Sequence, residues 1–175
     1  MPPTLATRQH VPARIADLGF SIEVPAGFAQ MSFPDEDVNF ERPTASVPLA
    51  LFASQIAAAV ISISARPAYD DGTVEDWLRY LARSFELEVG PASELSLASG
   101  LRGVVAAASQ MQDGTALRFV LFAFEDGGRL VIAQAMCPEE LWPSFGESMR
   151  AAILSLALDS PQGHLAPLLA QPPTP

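Results

Sequence analysis

LRGVVAAASQMQDGTALRFVLFAFEDGGRLVIAQAMC, residues 101–137, is the stretch that decides the fold. Its three apolar runs are separated by Asp113-Gly114 and by Asp126-Gly127-Gly128, the turn residues that join adjacent antiparallel strands. The spacing predicts a β-meander with strands over 101–111, 116–125 and 129–137. In the middle run Leu117, Phe119, Leu121 and Ala123 point one way and Val120, Phe122 and Phe124 the other, so both faces are apolar apart from Arg118. The third run repeats the pattern, with Leu130, Ile132 and Met136 against Val131, Ala133, Ala135 and Cys137. A sheet apolar on both sides needs a packed layer on each. Phe119 and Phe122 are therefore both expected in the core.

Working outward, Leu18, Phe20, Ile22 and Val24 alternate with Gly19, Ser21 and Glu23, a strand stopped by Pro25-Ala26-Gly27. Phe28–Phe33 and Val38–Arg42 read as weaker extended runs around an acidic loop, Asp35-Glu36-Asp37. Leu49–Gln55 and Ala59–Ala65 have strand character, and Arg66-Pro67 closes the pair. Thr73 supplies an N-cap with Asp76 at N3, and Val74, Trp77, Leu78, Leu81 and Phe85 follow at helical spacing, which predicts a helix over 73–86. Residues 86–99 are mixed, with Leu95 and Leu97 marking a short strand before Gly100. Beyond the meander, Pro138 is expected at N1 of a helix over 139–157 whose stripe is Leu141, Phe145, Met149, Ile153 and Leu156. These elements make one domain over 17–158, between a flexible N-terminal segment, 1–16, and a Pro-rich disordered tail, 159–175.

Composition narrows the function classes. The 175 residues are 49% hydrophobic, which suffices for one ordinary core, and carry a net charge of −10. All ten basic residues are Arg, so Schiff-base chemistry and a Lys-rich phosphate-binding surface are absent. Nucleic acid is not an expected partner, and no apolar run approaches the length of a membrane span, so membrane insertion is not expected either. The N-terminal stretch lacks the apolar run of a signal peptide, which places the chain in the cytoplasm as an expectation. Cys137 is the single cysteine, closing an apolar strand as a small hydrophobe would; neither a disulfide framework nor a multi-thiolate metal site forms within one chain.

Candidate chemistry is sparse. The two histidines, His10 and His164, fall in the terminal segments, where no triad or metal site is preorganised. The carboxylate pairs each have a local explanation: Asp70-Asp71 in a turn, Glu75-Asp76 and Glu139-Glu140 in first helical turns, Asp126 in a hairpin. Asp35-Glu36-Asp37 lacks the spaced ligands of a calcium loop. Trp77 and Trp142 sit beside the apolar stripes of their helices, where packing accounts for them. No phosphate-binding loop, cofactor motif or catalytic set is legible, and the chain is read as a non-enzyme needing no cofactor.

The order of motifs resembles one family. Gly19-Phe20-Ser21-Ile22-Glu23-Val24-Pro25-Ala26-Gly27-Phe28, then Thr73-Val74-Glu75-Asp76, then Leu101-Arg102-Gly103 entering the meander, then Glu140-Leu141-Trp142 and Ile153-Leu154-Ser155-Leu156, look like the PsbP/Mog-type superfamily. That group includes a photosystem II extrinsic subunit, a Ran-binding import factor, the envelope protein DcrB and type VI secretion adaptors. The resemblance implies an α+β fold, a central antiparallel sheet flanked by helices on both faces, and a non-catalytic habit of binding proteins. The expected function is thus a protein-binding module, an adaptor or chaperone whose partner is another protein, with self-association left open. The alternatives are a small-molecule or lipid carrier with an apolar pocket between sheet and helix, and an unrecognised hydrolase. The expected partner surface is the loop carrying Phe33, Asp35, Glu36, Asp37 and Phe40, suited to a basic, partly apolar client.

Overall fold

The computed structural model describes residues 5–9, 20–31, 47–67, 73–126 and 129–158. In chain order these form β1 (Leu5–Gln9), β2 (Phe20–Val24), β3 (Phe28–Gln30), β4 (Val47–Ser54), β5 (Val60–Pro67), α1 (Val74–Ser84), β6 (Glu88–Val89), β7 (Ser93–Ser96), β8 (Arg102–Gln112), β9 (Thr115–Asp126), β10 (Arg129–Pro138), a 3₁₀ turn (Glu139–Leu141), α2 (Trp142–Leu154) and β11 (Ala157–Leu158). The meander is present as β8, β9 and β10, consecutive antiparallel neighbours with Ala108 opposite Phe119 and Phe119 opposite Met136. Asp113 and Gly114 both have positive φ, 49° and 81°, the geometry that a two-residue hairpin turn requires and that Asp-Gly tolerates. The large sheet runs β3-β4-β5-β10-β9-β8-β6, with β7 also on β8, and β1-β2-β11 form a second, three-stranded sheet.

Phe119 is 5% exposed and Phe122 0%, so the two-sided burial argument holds. On one face Phe52, Ile61, Ile63, Phe122, Phe124, Val131, Ala133 and Cys137 meet Met149, Ala152 and Ile153 of α2 and Phe20 and Ile22 of β2. On the other, Val104, Ala106, Ala108, Leu117, Phe119, Leu121, Leu130 and Ile132 meet Leu78 of α1, with Val74, Trp77 and Leu81 packed alongside. Helices thus cover both faces of an antiparallel sheet, an α+β architecture. At Gly103 the backbone of β8 comes so close to β9 that an added Cβ would lie 2.4 Å from the Ala123 carbonyl oxygen and 2.9 Å from the Phe122 ring. Only glycine fits there.

Four differences from the sequence reading have physical causes. No strand was expected before Leu18, yet Leu5–Gln9 pairs antiparallel with Phe20–Val24. That pairing supplies hydrogen-bond partners to a β2 edge that the large sheet does not reach. The final helical segment does open directly after Pro138, but as the 3₁₀ turn Glu139–Leu141, and becomes α-helical only from Trp142. Pro138 ends β10 opposite Leu117, and Pro143 is the proline of the first helical turn, where its missing N–H is harmless. The helix also ends at Leu154, and Ala157–Leu158 pair with β2. Finally, Arg66 does not merely close a strand pair: it is 5% exposed, with its guanidinium carbon 3.6 Å from the Trp77 ring centroid. The extended run at 38–42, the Asp70-Asp71 turn, both histidines and the tail from 159 lie outside the described residues.

Candidate functional site

α1 is built to stand at a fixed height above the sheet. Its N-terminus carries a reciprocal cap, with the Thr73 hydroxyl accepting from the Asp76 N–H at 3.2 Å and the Asp76 carboxylate accepting from the Thr73 N–H at 3.0 Å. The carboxylate also accepts from the Thr73 hydroxyl at 2.8 Å, and the Thr73 backbone bond first and this hydroxyl bond second hold the Asp76 carboxyl below its ordinary range, with Arg79 adding to the effect. Leu78 plugs the helix into the sheet at 2% exposure. Arg66 stacks on Trp77, which in turn meets Tyr80 edge-on at 5.9 Å, so one flank of the helix is pinned by a cation–π contact.

The opposite flank is open. Between α1 and the sheet edge lies a groove of about 760 Å³, lined by Leu78, Ala82, Leu87, Val89 and Pro91 below and by Glu75, Arg79 and Arg83 above. Its volume lies within the range of small-molecule and peptide sites. Arg79 is held by Glu75 at 3.5 Å and Asp76 at 3.4 Å, with Arg79 and Asp76 exposed and Glu75 half-buried. Arg83, one turn on, lines the groove with no ion pair among the described residues. A smaller recess of about 550 Å³ lies along β7, lined by Glu94, Leu95, Ser96, Arg102, Gly103 and Val104.

Among the described residues no strand pairs with the outer side of the sheet edge at this groove, and its outward backbone groups are unspent there. β6 and β7 are one edge strand on β8 interrupted by a bulge: Gly90 donates to Ala107 O at 2.8 Å and Ser93 faces Val105, so Pro91 and Ala92 together oppose Ala106. Antiparallel pairs alternate between bonded and non-bonded. Since Gly90 and Ala107 are bonded, Glu88 and Ser109 are too, and the N–H and C=O of Val89 point away from β8. By the same alternation from Leu97 N–H to Leu101 O at 2.7 Å, the polar groups of Glu94 and Ser96 also point outward. Pro91 and the short lengths of β6 and β7 limit how long a strand the edge accepts.

The other sequence candidates fall elsewhere. Phe33, Asp35, Glu36, Asp37 and Phe40 all lie outside the described residues. Cys137 is fully buried in the α2-side core, and burial pushes its thiol up, away from reactivity. Trp142 covers Gly146, where a Cβ would sit 2.6 Å from the indole, so it packs rather than projects. Glu139 takes Arg118 at 2.8 Å. Among the described residues no three His, Cys, Asp or Glu side chains converge as metal ligands, and no helix is long and apolar enough to cross a membrane. Sequence reasoning passed over the groove because 86–99 reads as mixed. The available signal was Gly90-Pro91, a strand breaker between two short extended pieces.

No protein-family model matches the chain, and no curated protein matches its sequence. Its likeness is to solved structures. It is similar to the cyanobacterial PsbP protein CyanoP of Synechocystis, at TM-score 0.60 and 11% identity over 87% of this chain and 92% of that one. LpqN of Mycobacterium tuberculosis, involved in cell envelope biogenesis, matches at TM-score 0.55 and 10% identity over 88% and 90%. The Ran-binding protein Mog1p of Saccharomyces cerevisiae matches at 0.52 and 10% over 88% and 96%. The chain therefore has the PsbP/Mog-type fold.

Proposed function

We propose that this chain is a non-catalytic protein-binding module, a cytoplasmic adaptor or chaperone, and that its partner docks where α1 overhangs the β6–β7 edge. The carrying observation is the open edge itself: the outward N–H and C=O of Val89 border an apolar groove, an arrangement suited to an added strand. A carrier of small apolar molecules would need a closed pocket between sheet and helix. On the α2 side that space is filled by Phe122, Phe124, Met149 and Ile153, each no more than 1% exposed. Mog1p, a Ran-binding protein, supports protein binding on this fold.

The test is affinity purification of the native protein with mass spectrometry, repeated with Val89→Pro. Proline removes the outward N–H, which the β8 ladder does not use, and edge positions tolerate it. A stoichiometric partner lost in the folded variant supports the edge. A partner retained by Val89→Pro but lost on Asp35→Arg/Asp37→Arg moves the interface to the stretch from Phe33 to Phe40. A co-purified small molecule with no protein overturns the module reading in favour of the carrier.

A further inference from the structure

The groove above β6 selects its occupant by charge as well as by shape. Resting on the protein-binding reading, we propose that the site takes a short extended peptide with an apolar residue and a carboxylate two positions apart, the carboxylate paired with Arg83. Residues paired across two strands share a face. A peptide residue placed beside Val89, exchanging hydrogen bonds with its outward N–H and C=O, therefore projects to the α1 side as Val89 does. There it meets Leu78, Ala82 and Leu87, the apolar floor. The next peptide residue points to the other side, and the one after returns to the α1 side, where the charged rim stands.

On that rim Glu75 and Arg79 neutralise each other, with Asp76 adding to the cluster. Arg83 is the groove-lining charge left without an ion pair among the described residues. Glu88 does not supply one, because it is paired with Ser109 and projects from the opposite face to Val89 and Ala108. The −10 net charge of the chain repels an acidic peptide at long range, but beyond about 8 Å salt screens that field at physiological ionic strength. Inside that distance Arg83 is the groove-lining cation that neither Glu75 nor Asp76 engages, and it is open to a carboxylate of the occupant. A basic peptide would meet an unpaired cation instead. The bulge at Pro91-Ala92 ends the edge within a few residues of Val89, so an occupant of roughly four to six residues fits the available length.

The experiment uses the full chain and two fluorescein-labelled peptides of identical composition, one with the order Glu-Thr-Val-Thr-Glu and one with Thr-Glu-Val-Glu-Thr, each flanked by glycines. In the first the carboxylates share the face of the valine; in the second they oppose it. Anisotropy should show the first binding at least tenfold more tightly. Amide exchange at Val89 should slow on its addition. Arg83→Glu should abolish the preference while Arg83→Lys keeps part of it, and a circular dichroism melt confirms that these exposed-site variants fold. Equal binding of both peptides, indifference to Arg83→Glu, or unchanged exchange at Val89 would overturn the proposal. If neither peptide binds while a native partner is still lost on Val89→Pro, the carboxylate preference fails and the binding module stands. If no partner is found either, both fail.

Discussion

The two faces of the large sheet are covered by one helix each, yet they are not equivalent. Under α2 lies a buried apolar layer that also receives β2 and the residues Phe20, Ile22, Leu49 and Phe52, all at most 1% exposed. Under α1, Leu78 is the helix residue that is buried, and Val74, Trp77 and Leu81 are only half so. One face has gathered elements from both ends of the described chain. The other is closed by a helix pinned along one flank and left open along the other. The lesson is a division of labour: the α2 side supplies most of the apolar burial that stabilises the fold, and the α1 side is where a partner has room.

Truncating a side chain on each face tests this division. Phe122→Ala removes a fully buried ring from the α2 side and should destabilise by about 4 kcal/mol in denaturant unfolding. Leu78→Ala should cost less, about 2 kcal/mol, because the groove beside it lets the site relax. Equal losses would mean that α1 is as firmly seated as α2. Gly103→Ala comes next, at about 2 kcal/mol, since the new methyl must push β8 away from Ala123 and the Phe122 ring. A neutral result there would show that β8 is free to shift.

How much of this asymmetry was legible beforehand depends on the kind of signal. The meander was legible because period-2 alternation and Asp113-Gly114 act over neighbouring residues. The α1 start was legible because Thr73 and Asp76 sit at the spacing of a capping box. Trp142 and Cys137 were rightly assigned to packing. Arg66 was not, since its burial depends on Trp77 arriving from α1, a contact that no local pattern encodes. The groove was invisible for a similar reason. It exists between α1 and a bulged edge, and the bulge itself becomes readable only once β6 and β7 are seen to share β8. The opening of the last helical segment after Pro138 was legible, but not that Pro138 still pairs with Leu117 in β10 or that the segment starts as a 3₁₀ turn, since both depend on the sheet partner.

A smaller effect concerns how α1 is started. Thr73→Ala removes the hydroxyl that accepts from Asp76 N–H and should cost about 1 kcal/mol, read from the denaturation midpoint. Since α1 forms the groove wall, peptide binding should weaken along with stability, whereas truncations under α2 should lower stability and leave the binding of the folded protein unchanged.

The smallest expected effect is the acid dependence of the same cap. The Asp76 carboxylate accepts from the Thr73 backbone N–H at 3.0 Å and from the Thr73 hydroxyl at 2.8 Å, and both interactions favour its charged form. Its pKa in the folded protein is therefore below the ordinary 3.8. A carboxylate depressed on folding contributes stability that is present above its unfolded pKa and is lost as pH falls through the folded one. The contribution should thus be complete at neutral pH and begin to fade below about pH 4. Because the side chain is exposed, solvent keeps the effect small, and a site-resolved measurement suits it better than a global melt. Carbonyl NMR titration should place Asp76 below 3.8 in the native chain and move it upward in Thr73→Ala, where the hydroxyl bond is gone and the backbone one remains. Amide exchange along α1 should accelerate over the same acid range, while exchange along α2, whose start carries no side-chain cap, should not follow it. Parallel acceleration in both helices would mean that acid loosens the whole sheet rather than its exposed wall.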